Sequence, residues 1–318
     1  MKIGIPRALL YYWYGHIWEK FWQECGCEVV ISPPTDRSII MAGATVGLDE
    51  LCLPVKIFLG HVVDLSARVD QIMIPHLIKV EKNAYICPKF MGLPDLVAHS
   101  LPNIKEKMLV VKVGPKKTDQ WQCMCQTALK LGLKPTSKSP GNWAGWINSP
   151  HRSVWEKQSF FENQSVLSSS NISQTQQTLK IGLLGHPYCL YDACLNLNTL
   201  TKLNETGVNF LTPEMMPDNF KGIGSGRLTK DLFWTIGRSQ FDALEWMLSE
   251  DIYIEGFIQI MPFACGPEAI VGDLLERRIR QAGKPLLKLY FEEHSGEAGM
   301  VTRLEAFLDL IRYRSKVC

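Results

Sequence analysis

"KIGIPRALLYYWYGHIWEKFWQECGCEVVISP", residues 2 to 33, decides the fold. A short apolar run gives way to a proline turn, then to a stretch in which Leu9, Leu10, Trp13, Ile17 and Phe21 recur at helical spacing. After Gly26 the chain returns to a β-branched run. The stretch predicts strand, helix, glycine stop and strand, with the apolar helix face packed on a sheet. Residues 180 to 214, "KIGLLGHPYCLYDACLNLNTLTKLNETGVNFLTPE", repeat that order, with Gly207 as the stop. The repeat predicts two similar α/β domains.

Four further runs read as strands: "QIMIP" (71 to 75), "MLVVKVG" (108 to 114), "GFIQIMP" (256 to 262) and "LLKLYF" (286 to 291). Apolar strands alternating with helices imply parallel sheets covered on both faces. Ligands of such sheets gather beyond the carboxyl ends of the strands. Cys265 follows one of these strands, Cys87 lies in the connection after another, and His294 closely follows a third. Residues 163 to 179, "NQSVLSSSNISQTQQTL", carry no charge and little bulk and read as a linker or mobile loop. The expected domains are therefore residues 1–162 and 180–318.

With 318 residues, 46% of them hydrophobic, the chain can bury a substantial core, and its length favours two domains. A formal net charge of +2 produces no field of the kind that draws nucleic acid or an anionic membrane. No apolar run approaches the roughly 18 residues that a membrane span needs. The opening residues lack the sections of a signal peptide, which makes a cytoplasmic location the expectation. In a reducing compartment ten cysteines are core packing, metal ligands or reactive thiols rather than disulfides.

Three of the ten share a setting. Cys265 in "FACGPEA" precedes Gly266, a helix-starting Pro267 and the first-turn acid Glu268; Cys52 in "ELCLPVK" and Cys87 in "ICPKF" also stand beside prolines. A helix N-terminus lowers a thiol's pKa and so favours the thiolate, the metal-binding form. A buried cysteine at a strand end, or an ordinary proline turn, fits the same letters. None of the three forms a C-x-x-C pair, so a shared metal would be assembled by the fold. Cys25, Cys27, Cys123, Cys125, Cys189, Cys194 and Cys318 read as filler.

Other candidates also carry two readings. "KGIGSGR" (221 to 227) lacks the spacing of a phosphate-binding loop and reads as a plain loop. "EEHSGEAG" (292 to 299) could hold a hard metal or form a hydrogen-bonded turn. His61 and His186 are ligand, base or satisfied polar groups. The tryptophans of the first helix read as core.

Taken together, "KIGIPRALLYY", "DELCLPVKIFLGHV", "ICPKFMGLPD", "IGLLGHPYCLYD", "FACGPEAIV" and "EEHSGEAGMVTRLEAFLD" resemble the DUF2229 family, acyl-CoA dehydratase activase-related proteins akin to the 2-hydroxyacyl-CoA dehydratases. The resemblance implies two flavodoxin-like α/β domains with an iron-sulfur cluster, 4Fe-4S or a larger cubane-derived form, at their interface. By motif its ligands fall on Cys52, Cys87 and Cys265, which leaves one iron open. It also implies a homodimer and a separate ATP-hydrolysing activase that carries its own cluster and delivers low-potential electrons, because the chain has no ATPase phosphate motif. Lys56, His61, His186, His294 and Glu297 are candidates for hydrogen bonding or proton delivery around the cluster. The sequence departs from the family pattern at Glu268 and Glu292, where aspartate is expected. The rival readings are a cluster-bearing scaffold, store or regulator without turnover, and a zinc-binding or metal-free α/β ligand-binding module.

Overall fold

The computed structural model describes residues 1–79, 84–113, 117–135 and 179–317. The chain divides into two compact units, and the expected linker lies outside the described residues except for Leu179. Phe233–Thr235 belongs with the first unit although the rest of its neighbourhood belongs with the second.

The first unit runs β1 (Lys2–Ile5), α1 (Tyr11–Glu24), β2 (Glu28–Ile31), α2 (Arg37–Val46), α3 (Leu53–Ser66), β3 (Gln71–Leu77), α4 (Pro88–Met91), α5 (Leu93–Ser100), β4 (Met108–Val113) and α6 (Lys117–Lys130). Its four strands are parallel in the order β2-β1-β3-β4. Gly26, at φ +80°, ends α1 as the sequence predicts, because only glycine adopts that conformation without penalty. Trp13, Trp18, Phe21 and Trp22 bury the inner face of α1, and Ile3, Ile5, Ile72 and Ile74 supply the sheet below. Helix α3 is buried at every residue from Leu53 to Val62, as expected of a helix apolar around most of its circumference. Two glycines let α2 lie directly against it. A Cβ on Gly43 would meet the Lys56 carbonyl oxygen, and one on Gly60 would stand 2.0 Å from the Ile39 carbonyl oxygen.

The second unit runs β5 (Lys180–Gly185), α7 (Pro187–Tyr191), α8 (Thr199–Glu205), β6 (Asn209–Leu211), α9 (Thr235–Met247), β7 (Gly256–Pro262), α10 (Gly266–Gln281), β8 (Leu286–Phe291) and α11 (Glu297–Val317). Its strands are parallel in the order β6-β5-β7-β8, the same topology as the first unit. Both units are flavodoxin-like. All four strands expected from the later apolar runs are present as β3, β4, β7 and β8.

One expectation needs correction. The helix after β5 is not continuous but splits into α7 and α8. Between them Asp192 accepts from the N–H groups of Cys194 and Leu195, and Asn196 donates to the carbonyls of Cys189 and Leu190. These side chains take the backbone groups that a helical ladder would use. Leu197 and Asn198 then turn through left-handed φ values of 52° and 58°. Among the described residues no helix is long and apolar enough to cross a membrane.

Candidate functional site

In each sheet the strand order reverses beside the first strand of the unit, between β1 and β3 and between β5 and β7, and ligands of open α/β sheets bind at such points. The connections leaving β3 and β7 carry Cys87 and Cys265. Cys52, Cys87 and Cys265 occupy one kind of position: each is the N-cap of a helix, α3, α4 and α10 respectively, with proline in the first turn. Proline has no N–H to leave unsatisfied there, and its fixed φ suits a helix start. The three thiols therefore sit at the positive ends of helices, with Cys52 buried and the other two half-buried.

In the first unit the two cysteine loops are neighbours, because Lys89, two residues after Cys87, donates from Nζ to the Glu50 carbonyl at 3.1 Å. The Cys87 loop is anchored from far along the chain. Tyr85 and Trp234 form a parallel bridge, with Tyr85 N–H donating to the Phe233 carbonyl and Thr235 N–H to the Tyr85 carbonyl, and the Tyr85 and Phe233 rings stack at 4.8 Å. Lys56 is buried one turn beyond Cys52 on α3. His61, fully buried two turns beyond Cys52, has Nε2 3.0 Å from the Thr35 hydroxyl. Burial, then the charge of Arg7, pushes its pKa down to about 3, so the ring is neutral.

The second unit surrounds its thiol with charge. Glu268, in the first turn of α10 and wholly buried, accepts hydrogen bonds from His186 Nε2 at 3.0 Å, Gln240 Nε2 at 3.0 Å and Gln259 Nε2 at 3.1 Å. The other ring nitrogen of His186 lies 2.8 Å from the Tyr188 hydroxyl, and the ring lies close to the Cys189 and Cys265 side chains. Burial opposes the charge on both members of the pair. Their mutual attraction and the bonds around them outweigh it, holding Glu268 below the usual carboxylate value and His186 well above its ordinary value. Burial pushes the Cys189 thiol up to about 12. Gln240 and Gln259 both turn their amide nitrogens to Glu268 and leave their carbonyl oxygens buried, with no partner among the described residues. Such oxygens are costly, and the amides are kept in place by the carboxylate they serve. Just before Cys265, Ala264 adopts a left-handed φ of 60°, a strained conformation for alanine.

Of the sequence candidates, His186 and Cys265 come together in this cluster, while Cys52, Cys87, Lys56 and His61 belong to the first unit. His294 and Glu297 are exposed. Glu297 is paired with Lys202 at 2.6 Å, and Glu292 and Ser295 form a hydrogen-bonded turn rather than a metal-holding group. The "KGIGSGR" loop folds around Asp242, whose carboxylate takes the N–H groups of Gly222 and Ser225 that a phosphate would need. Among the described residues no three His, Cys, Asp or Glu side chains form a group that could hold a metal ion. A cavity of about 530 Å³ lies elsewhere, at the C-terminal end of α10 and the start of β8, lined by Arg280, Lys284, Lys288 and Arg314. Glu276 pairs with two of these cations, Arg280 and Lys288.

Sequence reasoning missed Tyr188, Gln240 and Gln259. The signal for Gln259 was present: it is the polar residue in "GFIQIMP", a strand buried at every position.

A profile described as "CoA enzyme activase uncharacterised domain (DUF2229)" matches residues 2–216, more than half of the chain. The chain belongs to the DUF2229 family. Cys52, Cys87 and His186 lie within the DUF2229 match, whereas Cys265 and Glu268 lie beyond it. No curated protein matches the chain.

Proposed function

We propose that this DUF2229 protein is the cluster-bearing component of an acyl-CoA dehydratase-type system, with Cys52, Cys87 and Cys265 as thiolate ligands of one cubane-type iron-sulfur cluster. The observation that carries the reading is the shared placement of the three thiols, each at the N-cap of a helix with proline in its first turn. The donor set is soft, which suits iron-sulfur clusters or zinc and does not suit magnesium or calcium. Three ligands on a cubane leave one iron free, and the bound cluster would supply one-electron reduction at that open position. The chain's own residues hold the sulfurs, keep water from Cys52 and set the charge around Cys265. A separate ATP-hydrolysing activase would provide the electron, and two copies of this chain would make up the working unit.

Purification under anaerobic conditions, followed by iron, sulfide and zinc analysis with an EPR spectrum of the reduced protein, tests this. Iron and acid-labile sulfide in equal amounts with a reduced-cluster signal are expected. Zinc alone, or no metal after reconstitution, would overturn the reading. Turnover with reductant, ATP and a purified activase then distinguishes an enzyme from a scaffold that only stores the cluster.

A further inference from the structure

The cavity at the C-terminal end of α10 gathers more positive charge than its surroundings neutralise. Arg280 lies in the last turn of α10, Lys284 follows the left-handed turn at Gly283, Lys288 lies on β8 and Arg314 lies in the last turn of α11. All four line one space of about 530 Å³ within the second unit. Among the described residues that line it, Glu276 is the one carboxylate, and it pairs with Arg280 at 2.5 Å and with Lys288. The Lys288 hydrogen bond is the main cause that lowers the Glu276 pKa, so this carboxylate is ionised and cancels one charge. Lys284 and Arg314 have no carboxylate partner among the described residues. Lys284 instead rests over the Tyr253 ring, with Nζ 4.9 Å from its centroid, a contact that orients the ammonium without neutralising it.

Cations in such a place ordinarily offset helix C-termini. That role does not account for these. The last carbonyls of α10 are already taken by the turn that follows: Ala282 N–H donates to the Arg278 carbonyl, Gly283 N–H to Arg280 and Lys284 N–H to Ile279. Each helix C-terminus carries about half a negative charge, so α10, α11 and Glu276 together offset about two of the four positive charges. About two remain, which matches the charge of a phosphate monoester near neutral pH. Lysine and arginine are the usual donors to phosphate oxygens. The space is larger than inorganic phosphate needs and falls within the range of about 300–1,000 Å³ usual for small-molecule sites. Pro285 and Leu286 supply an apolar wall.

We propose that this cavity binds a small organic phosphate, with Lys284 and Arg314 on the phosphate, Arg280 and Lys288 held beside it by Glu276, and the organic part against Pro285 and Leu286. The site stands apart from the cluster reading. It lies at the other end of α10 from Cys265, and a helix of 16 residues is roughly 24 Å long.

Isothermal titration calorimetry of the full chain with adenosine 5′-monophosphate, glucose 6-phosphate and inorganic phosphate tests this. At least one of the two esters is expected to bind at least tenfold more tightly than inorganic phosphate, and which one does so separates a nucleotide from a sugar phosphate. The double variant Lys284→Gln/Arg314→Gln should weaken that binding at least tenfold. Arg314 is exposed and Lys284 lies over an exposed ring, so the variant should keep the wild-type unfolding midpoint, which checks its fold. Arg277→Gln removes an exposed cation of the same helix that does not line the cavity, and it should bind as wild type does. Neither ester binding saturably, inorganic phosphate binding as tightly as both, or Arg277→Gln weakening binding as much as the double variant would each overturn the proposal. None of these results bears on the iron content of the protein.

Discussion

The two units are built on one plan and stabilise their helix starts in opposite ways. Each has a parallel sheet with its first strand second from the edge, and each sends its third strand towards a cysteine that caps a proline-started helix. In the first unit the support is close-packed: α3 is buried from Leu53 to Val62 with Lys56 among its buried residues, α2 lies against it through Gly43 and Gly60, and the histidine of α3 is neutral. In the second unit the support is an ion pair clamped by two amides. The comparison teaches that a flavodoxin-like frame fixes where a thiol emerges from the sheet, and the residues around that exit decide its electrostatics. The helix that Cys52 caps is held by close packing, and the helix that Cys265 caps is held by a buried ion pair.

The contrast can be broken most forcefully at Glu268. Glu268→Ala removes one partner of a buried pair and leaves three donors without an acceptor, and a loss of about 3–5 kcal/mol is expected from denaturant unfolding. A loss below 1 kcal/mol would show that the clamp is not structural. Gly60→Ala is the matching change in the first unit. Its added methyl meets the Ile39 backbone rather than a movable side chain, so about 3 kcal/mol should be lost as α2 is pushed from α3. If Gly60→Ala is neutral, the close packing assigned to the first unit is wrong.

The histidines sharpen the same comparison in the metal-free protein. His61 has its folded pKa depressed to about 3, so its stability contribution is complete above the unfolded value near 6.5. That contribution is lost as pH falls from about 6.5 towards 3, at up to about 1.4 kcal/mol per pH unit. His186 has its folded pKa raised, so its contribution is complete below about 6.5 and lost as pH rises through the folded value. Glu268, with its folded pKa lowered, contributes above the ordinary carboxylate range and loses that contribution as pH falls through the folded value. In a histidine NMR titration His186 should remain protonated, and His61 neutral, through neutral pH. His61 and His186 both titrating near 6.5 would contradict both assignments.

Much of the frame was legible because its elements are local. Apolar runs such as "GFIQIMP", glycine stops at Gly26 and Gly207, and prolines beside Cys52, Cys87 and Cys265 are each readable within a few residues. The split between α7 and α8 was hidden because Asp192 and Asn196 act through side-chain bonds that periodicity does not register. The clamp was hidden for a different reason. Gln240, Gln259 and Glu268 lie on three successive elements and meet only when the sheet and its covering helices are assembled. Phe233–Thr235 joins Tyr85 across almost 150 residues, a pairing that no local pattern announces.

The proposal to be tested is that Cys52, Cys87 and Cys265 are cluster ligands. It is tested most directly by the iron content of anaerobically reconstituted Cys87→Ala and Cys265→Ala, one from each unit, measured beside Cys123→Ala. Both exits should be needed: iron is expected to fall at least tenfold in each of the first two and to stay at the wild-type level in the third. Full iron occupancy in either Cys87→Ala or Cys265→Ala would contradict the account.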